Sequence, residues 1–168
     1  FADNLRGVVT LVREQAERMS QQFGLSRYDA LLDGFEPGMT SAAIDRLFGD
    51  LRTWLPGLID RVIARQAAQA VIEPVGPFPV AQQRNLSEAV MRLLNFDFNA
   101  GRLDVSTHPF SGGVPEDVRM TTRYAEHDLR QGLMGTVHET GHGRYEQNRP
   151  REWLGQPVSE ARSMGIHE

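Results

Sequence analysis

Apolar positions recur with helical spacing through the first part of the chain. Between residues 3 and 23 they fall on one stripe, and Gly24 follows directly, which predicts an amphipathic helix that ends there. Ser26 is placed to cap a short second helix, and Thr40 or the residue after it to cap a longer one. Pro56-Gly57 interrupts the longer pattern, so a kink or a break is predicted at that point.

The pattern changes in the second part of the chain. A proline-rich linker leads into a predicted helix over residues 80–95. Apolar residues then alternate with polar ones over 103–107 and again over 118–124, which predicts two short strands. The connection 108–113 is rich in turn-forming residues. The sequence therefore predicts a hairpin that leads straight into a helix over 128–149.

The helix predicted over residues 128–149 carries the candidate chemistry. Its apolar positions have helical spacing, and they are Leu129, Leu133, Met134, Val137 and Tyr145. It also contains an H-E-x-x-H segment. His138 and His142 project about 40° apart, one turn above each other, so one metal ion can bind both. Glu139 lies between them in sequence and is suited to act as a general base toward a water molecule.

A hydrolytic zinc site commonly has three protein ligands and one water. The chain has no cysteine, so the third ligand must be His, Asp or Glu, and no disulfides form. Glu146 lies too far along the same helix to share one ion with both histidines. Tyr145 and Asn148 stand where the metzincin pattern requires Gly and His. Spacing alone leaves four candidates: Glu152, Glu160, His167 and Glu168.

Composition narrows the class of protein. The 168 residues are 40% apolar and 24% charged, with a net charge of −4, as is ordinary for a globular chain with a real core. This charge does not favour a nucleic acid or an anionic membrane as partner, and no apolar run reaches the length of a membrane span. A cytoplasmic location is expected. Because the chain begins with Phe1 and stops at Glu168, we expect it to be part of a longer protein.

Several further segments, in the right order, resemble the carboxypeptidase Taq family of zinc metallocarboxypeptidases. His108-Pro109-Phe110 matches an H-P-F motif of that family, and residues 117–121 match its D-x-R-x-T motif. Residues 138–142 match H-E-x-x-H, and residues 163–168 resemble the approach to an H-E-S motif. Other similar blocks are Tyr28 to Asp33, Glu36 to Thr40, Phe96 to Phe98 and Gly101 to Asp104.

The resemblance implies a set of properties for the chain. It implies that Glu168 is the third ligand beside His138 and His142, and that Glu139 is the general base. The implied fold is mainly helical and zincin-like, with a two- or three-stranded β element beside the H-E-x-x-H helix. The implied activity is removal of C-terminal amino acids from peptides with broad side-chain tolerance. The implied metal is zinc, with cobalt able to substitute, and the implied assembly is a homodimer.

The resemblance also predicts how the chain is organised. Residues 1–168 are expected to form a single segment of a larger catalytic domain, with a helical part over 1–95 and the hairpin and metal-binding helices over 96–168. Family members are longer, and the groups that close their substrate groove lie downstream. A chain that stops at Glu168 is therefore expected to be inactive on its own.

The predicted hairpin supplies candidate substrate-binding residues next to the metal helix: His108, Asp117, Arg119 and Thr121. Arg119 could bind a substrate carboxylate through a two-pronged contact. The alternative is that Asp117 and Arg119 form a structural ion pair and that His108 caps a turn. Two other functions stay open at this point: a different H-E-x-x-H peptidase, such as an aminopeptidase or an endopeptidase, and a non-catalytic helical domain or metal-binding fragment.

Overall fold

Six α-helices and a three-stranded sheet make up the computed structural model, which describes residues 1–168. The predicted fold class, mainly helical with a small β element, is confirmed. Contacts divide the chain into a first unit, Phe1–Val71 with Arg162–Ile166, and a second unit, Ile72–Ala161 with His167–Glu168. The predicted organisation as one segment of a larger catalytic domain stays a prediction.

The first unit contains three of the helices, α1 (Ala2–Phe23), α2 (Arg27–Leu32) and α3 (Ser41–Ala67). Gly24 ends α1 in the left-handed conformation, with φ of 66°, which glycine adopts without steric penalty. The Ser26 hydroxyl accepts a hydrogen bond from Asp29 N, and the Thr40 hydroxyl accepts one from Ala43 N, so both predicted caps are confirmed. A kink or a break was predicted at Pro56. The break is wrong, because α3 continues through the proline, which removes one backbone hydrogen bond without ending the helix, and the kink stays a prediction.

The short helix α6 (Met164–His167) begins within the first unit. The backbone N–H of Met164 donates to the carbonyl of Phe35 at 2.9 Å. The next N–H, that of Gly165, donates to the Glu36 carboxylate at 2.9 Å. A Cβ atom at residue 165 would lie 2.8 Å from the same carboxylate, so a larger residue there would displace the Glu36 side chain.

The second unit contains α4 (Val80–Leu93), the sheet and α5 (Leu129–Gln147), followed by 3₁₀ turns at Arg151–Trp153 and Pro157–Ser159. The strands are β1 (Gly101–Val105), β2 (Phe110–Val114) and β3 (Asp117–Thr122). Strand β3 is central, parallel to β1 and antiparallel to β2.

The sheet corrects the predicted hairpin. The two predicted strands correspond to β1 and β3, but these are parallel and do not form a hairpin. The hairpin is formed by β2 and β3, and most of β2 lies in the segment predicted to be a turn. Its sequence, Phe-Ser-Gly-Gly-Val, has the composition of a turn, so residue preferences did not indicate a strand here. The short strand is stabilised by its pairing with β3.

The core of the second unit lies between the sheet and the helices. Five buried apolar residues form it: Met91, Phe96, Leu103, Val118 and Met120. Helix α5 packs against β2, β3 and α4. At the C-terminal end of α5, the amide of its last residue, Gln147, donates to the carbonyls of Asp97 and Ala100 and accepts from the N–H of Asp97. These contacts fix α5 against the sheet. No helix of the chain has both the length and the apolar character needed to cross a membrane.

Candidate metal centre

Helix α5 begins and packs in a way that the sequence predicted only in part. Asp128 caps it, since its carboxylate accepts hydrogen bonds from the backbone N–H groups of Arg130 and Gln131. The five predicted apolar positions are buried only in part: Leu129, Leu133 and Val137 are half-buried, whereas Met134 is 64% exposed and Tyr145 is 36% exposed. The buried residues of α5 are instead Gly132, Thr136, Glu139, Thr140 and Gly143.

Two glycines explain why small residues form the packing face. A Cβ atom at Gly132 would lie 2.9 Å from the Arg123 carbonyl oxygen, and one at Gly143 would lie 2.9 Å from the sulfur of Met120 and from the Phe96 ring. The other two glycines of α5 have more room. A Cβ atom at Gly135 would have its nearest neighbour 3.7 Å away, and one at Gly141 would have none within 4 Å.

The open side of α5 brings the candidate ligands together. The Nε2 atoms of His138 and His142 lie 3.1 Å apart, and Glu168 Oε2 lies 3.9 Å from each of them. Tetrahedral zinc with Zn–N and Zn–O bonds of about 2.0–2.2 Å places its ligand atoms roughly 3.3 Å apart. The two nitrogens already have that separation, and the carboxylate needs a shift of about half an ångström. The three residues therefore fit a metal ion, and all of them belong to the second unit.

Glu139 occupies the boundary between the open and buried sides of α5. It follows His138 in the helix, and only 7% of its surface is exposed. A carboxylate in this sheltered position next to a candidate metal ligand is suited to proton transfer, because proton transfer requires a positioned group within hydrogen-bonding distance.

The other candidate third ligands have different surroundings. Glu160 accepts a hydrogen bond from Arg149 at 2.5 Å, and Glu152 is exposed in the 3₁₀ turn after Pro150. The His167 ring does not complete the group of ligand atoms; it stacks on the His142 ring, with centroids 4.7 Å apart and planes 10° apart. Glu168 is thus the carboxylate that lies beside both histidines. The sequence indicated His167 only as a candidate ligand, and it gave no sign that this ring stacks on that of His142.

The four candidate substrate-binding residues form two pairs. The Arg119 Nε and Nη2 atoms donate to the two carboxylate oxygens of Asp117, at 2.8 and 2.7 Å. The Thr121 hydroxyl donates to the carbonyl oxygen of His108 at 2.7 Å. The ion pair weighed as an alternative for Arg119 is therefore present. The substrate-binding role predicted for these residues stays a prediction.

Two arginine–carboxylate pairs of the second unit differ in how far solvent reaches them. The hydrogen bond from Arg119 lowers the pKa of Asp117 and raises that of Arg119, although about half of each side chain is exposed. Arg149 donates to Glu146 at 2.6 Å, and this bond raises the pKa of Arg149. Here the side chains are only 11% and 21% exposed, so solvent screens the second pair less.

A helix-borne histidine pair with an intervening glutamate and a nearby carboxylate is the site type of metallopeptidases. The family described as Carboxypeptidase Taq (M32) metallopeptidase has a sequence model that matches residues 1–168, and the chain belongs to this family. It is 39% identical to thermostable carboxypeptidase 1 of Thermus thermophilus, over all of this chain and 34% of that protein. It is 43% identical to carboxypeptidase 1 of Bacillus subtilis, over 84% of this chain and 28% of that protein.

Solved structures agree with the family assignment. Trypanosoma cruzi metallocarboxypeptidase 1 superposes with a TM-score of 0.84 at 46% identity, over 97% of this chain and 34% of that one. The M32 carboxypeptidase from Deinococcus radiodurans superposes with a TM-score of 0.79 at 34% identity, over 97% of this chain and 32% of that one. The chain therefore spans about a third of the length of these relatives.

Proposed function

We propose that this chain provides the metal centre of a zinc carboxypeptidase, with His138, His142 and Glu168 as the ligands. The observation that carries the proposal is the grouping of one carboxylate and two imidazole nitrogens, all within 4.8 Å of one another. Nitrogen and oxygen donors without sulfur suit zinc, and they also suit cobalt, which we propose as a substitute. Family membership supports peptides as the substrates.

When zinc is bound, it supplies a Lewis acid that polarises the scissile carbonyl and makes water easier to deprotonate. Glu139 then takes the proton of the attacking water and passes it to the amine that leaves. Its place in the helix, directly after His138 and sheltered from solvent, supports this role. The rigid packing of α5 on the sheet keeps the carboxylate in position between the two steps.

Arg119 is our proposed recognition group for the C-terminal carboxylate of the substrate. Asp117 engages its Nε and Nη2 atoms, which orients the guanidinium and leaves the Nη1 donor for a second carboxylate. His108 and Thr121 are joined to each other and are proposed as neighbours of the same substrate end. Broad side-chain tolerance, homodimer assembly and a cytoplasmic location rest on the sequence expectations alone.

The test is the direction of cleavage by the full-length gene product. One peptide is offered in two forms, with a free and with an amidated C-terminus, and the products are followed by mass spectrometry. We expect stepwise loss of single residues from the C-terminus of the free form and resistance of the amidated form. Chelation should stop the reaction, and zinc or cobalt should restore it. Rapid loss of N-terminal residues from the amidated peptide would refute the carboxypeptidase assignment.

A further inference from the structure

His142 is held by contacts on the side of its ring that faces away from the other ligands. Its Nε2 atom faces His138 and Glu168, whereas its Nδ1 atom is buried and has no hydrogen-bonding partner in the protein. When Nε2 of a neutral imidazole binds a metal, Nδ1 carries the proton and needs an acceptor. The acceptor for this buried donor must therefore be found behind the ring.

His167 presents a second buried nitrogen in the same place. Its ring stacks on that of His142, and Tyr145 contacts its edge with centroids 5.0 Å apart. Its Nδ1 atom, like that of His142, is buried without a partner in the protein. Two buried, unpaired nitrogens in stacked rings are unusual, because buried polar groups are almost always hydrogen-bonded to protein or to ordered water.

A small cavity lies beside the two rings. Its volume is about 60 Å³, and it is lined by His142, His167, Glu146 and the segment 111–113 of β2. One buried water needs roughly 10–15 Å³ of such space and two to four polar partners. The volume is sufficient, and the residues that line it include two histidines, a glutamate and a serine as polar partners.

Glu146 is the anionic group of this cavity, and its position is fixed from the other side. It lies one turn after His142 on α5, and its Oε1 atom accepts a hydrogen bond from Arg149 at 2.6 Å. The same guanidinium donates to the Ser159 carbonyl at 2.9 Å and to Glu160 at 2.5 Å. Arg149 therefore ties the carboxylate to the loop that follows α5.

We propose that this cavity holds ordered water through which His142 Nδ1 donates to the Glu146 carboxylate. Glu146 and His167 are then positioning residues: Glu146 sets which nitrogen of His142 carries the proton, and His167 sets the angle of the ring. The inference rests on the proposed metal site. It assigns a role to Glu146, which geometry excludes as a metal ligand.

The test is zinc affinity, measured by competition with a chelator on the full-length gene product. Glu146→Gln should weaken zinc binding by about 10- to 100-fold, as do other losses of a group that supports a metal-binding histidine. Glu160→Gln is the matched control, because Glu160 contacts the same arginine but does not line the cavity. It should leave the affinity within about twofold of the parent, well below the range for such a loss.

His167→Phe tests the stacking, since phenylalanine keeps a flat ring and loses Nδ1, whereas His167→Ala removes both. We expect the alanine variant to bind zinc more weakly than the phenylalanine variant, and both more weakly than the parent. The absorption spectrum of the cobalt-substituted protein should shift in the same order. Unchanged affinity and spectrum in Glu146→Gln and both His167 variants would overturn the proposal, as would equal losses in Glu146→Gln and Glu160→Gln.

Imidazole ¹⁵N NMR of the zinc-bound parent gives a test that requires no variant. The proton of His142 should reside on Nδ1 and exchange slowly, and a proton on Nε2 would refute the proposal. Zinc binding by the parent protein also distinguishes this inference from the proposed function. A parent that binds no zinc refutes the metal centre and the inference together, while a parent that binds zinc as tightly as Glu146→Gln refutes the inference alone.

Discussion

The two sides of α5 use opposite kinds of residue for opposite purposes. The buried side carries glycine and threonine, and the Thr136 and Thr140 hydroxyls donate to backbone carbonyls one turn back, at 2.9 and 2.6 Å. The open side carries His138 and His142, whose side chains are 55% and 14% exposed. One helix thus provides both a packing surface and the candidate metal ligands.

The difference shows how the fold serves the site. Small residues bring α5 so close to the sheet that side chains on β3 and the Phe96 ring touch its backbone. A backbone held in this way has little freedom to rotate, and the histidines share its rigidity. Sites built on packed helices are held more accurately than sites on loops. Glu139 is the residue where the two sides meet, because it is buried like the threonines and is a functional candidate like the histidines.

The largest expected effect comes from Glu139→Gln. Glutamine keeps the size of the side chain and removes the base, so kcat/KM of the full-length gene product should fall by about 10²- to 10⁴-fold. Zinc content should stay at the parent level, because Glu139 is not among the three proposed ligand residues. Peptide release and metal analysis on the same preparation check both halves. Hydrolysis at the parent rate would show that Glu139 belongs to the packing side only.

A smaller effect separates the two sides by their glycines. Gly143→Ala places a methyl group 2.9 Å from the Met120 sulfur and the Phe96 ring, and such overpacking costs about 1–3 kcal/mol of stability. Gly141→Ala is the matched control, because it meets no atom within 4 Å and should gain up to about 1 kcal/mol from helix propensity. Thermal unfolding followed by circular dichroism measures both. If the two variants shift the midpoint in the same direction, the contrast between the sides is wrong.

The elements of the fold that depend only on residues close together in the sequence were predictable. Gly24, Ser26 and Thr40 act locally, so the end of α1 and the starts of α2 and α3 followed from sequence. The parallel pairing of β1 with β3 was not predictable in this way. It joins segments that are separated by β2, and local residue preferences carry no information on which strand pairs with which.

The candidate site likewise contains residues that the sequence could predict and residues that it could not. The spacing of His138 and His142 on one helix placed them together, because helix geometry alone fixes that distance. Glu168 needed the family resemblance, since spacing left four candidates. The roles of Glu146 and His167 could not be found, because stacking and a shared cavity arise only when separate segments meet. The only signal in the sequence was that Glu146 lies one turn after His142 on the same helix. That position was interpreted only as a possible place for a metal ligand.

The smallest expected effect lies among the exposed residues of β3. Val118, Met120 and Thr122 are buried in the packing, whereas Asp117 and Arg119 point outward. The hydrogen bond from Arg119 holds the pKa of Asp117 below its ordinary value of 3.8. The pair therefore stabilises the fold above that pH, and the contribution is lost as the pH falls through the lower folded-state value. Because both side chains are about half exposed, solvent and salt weaken the pair.

Asp117→Asn should lower the unfolding midpoint slightly near pH 7, and the difference from the parent should shrink in high salt and disappear in strong acid. Unfolding curves of both proteins over a pH series measure this difference. A difference that grows as the pH falls would mean that the Asp117 charge destabilises the fold, contrary to the direction of its pKa.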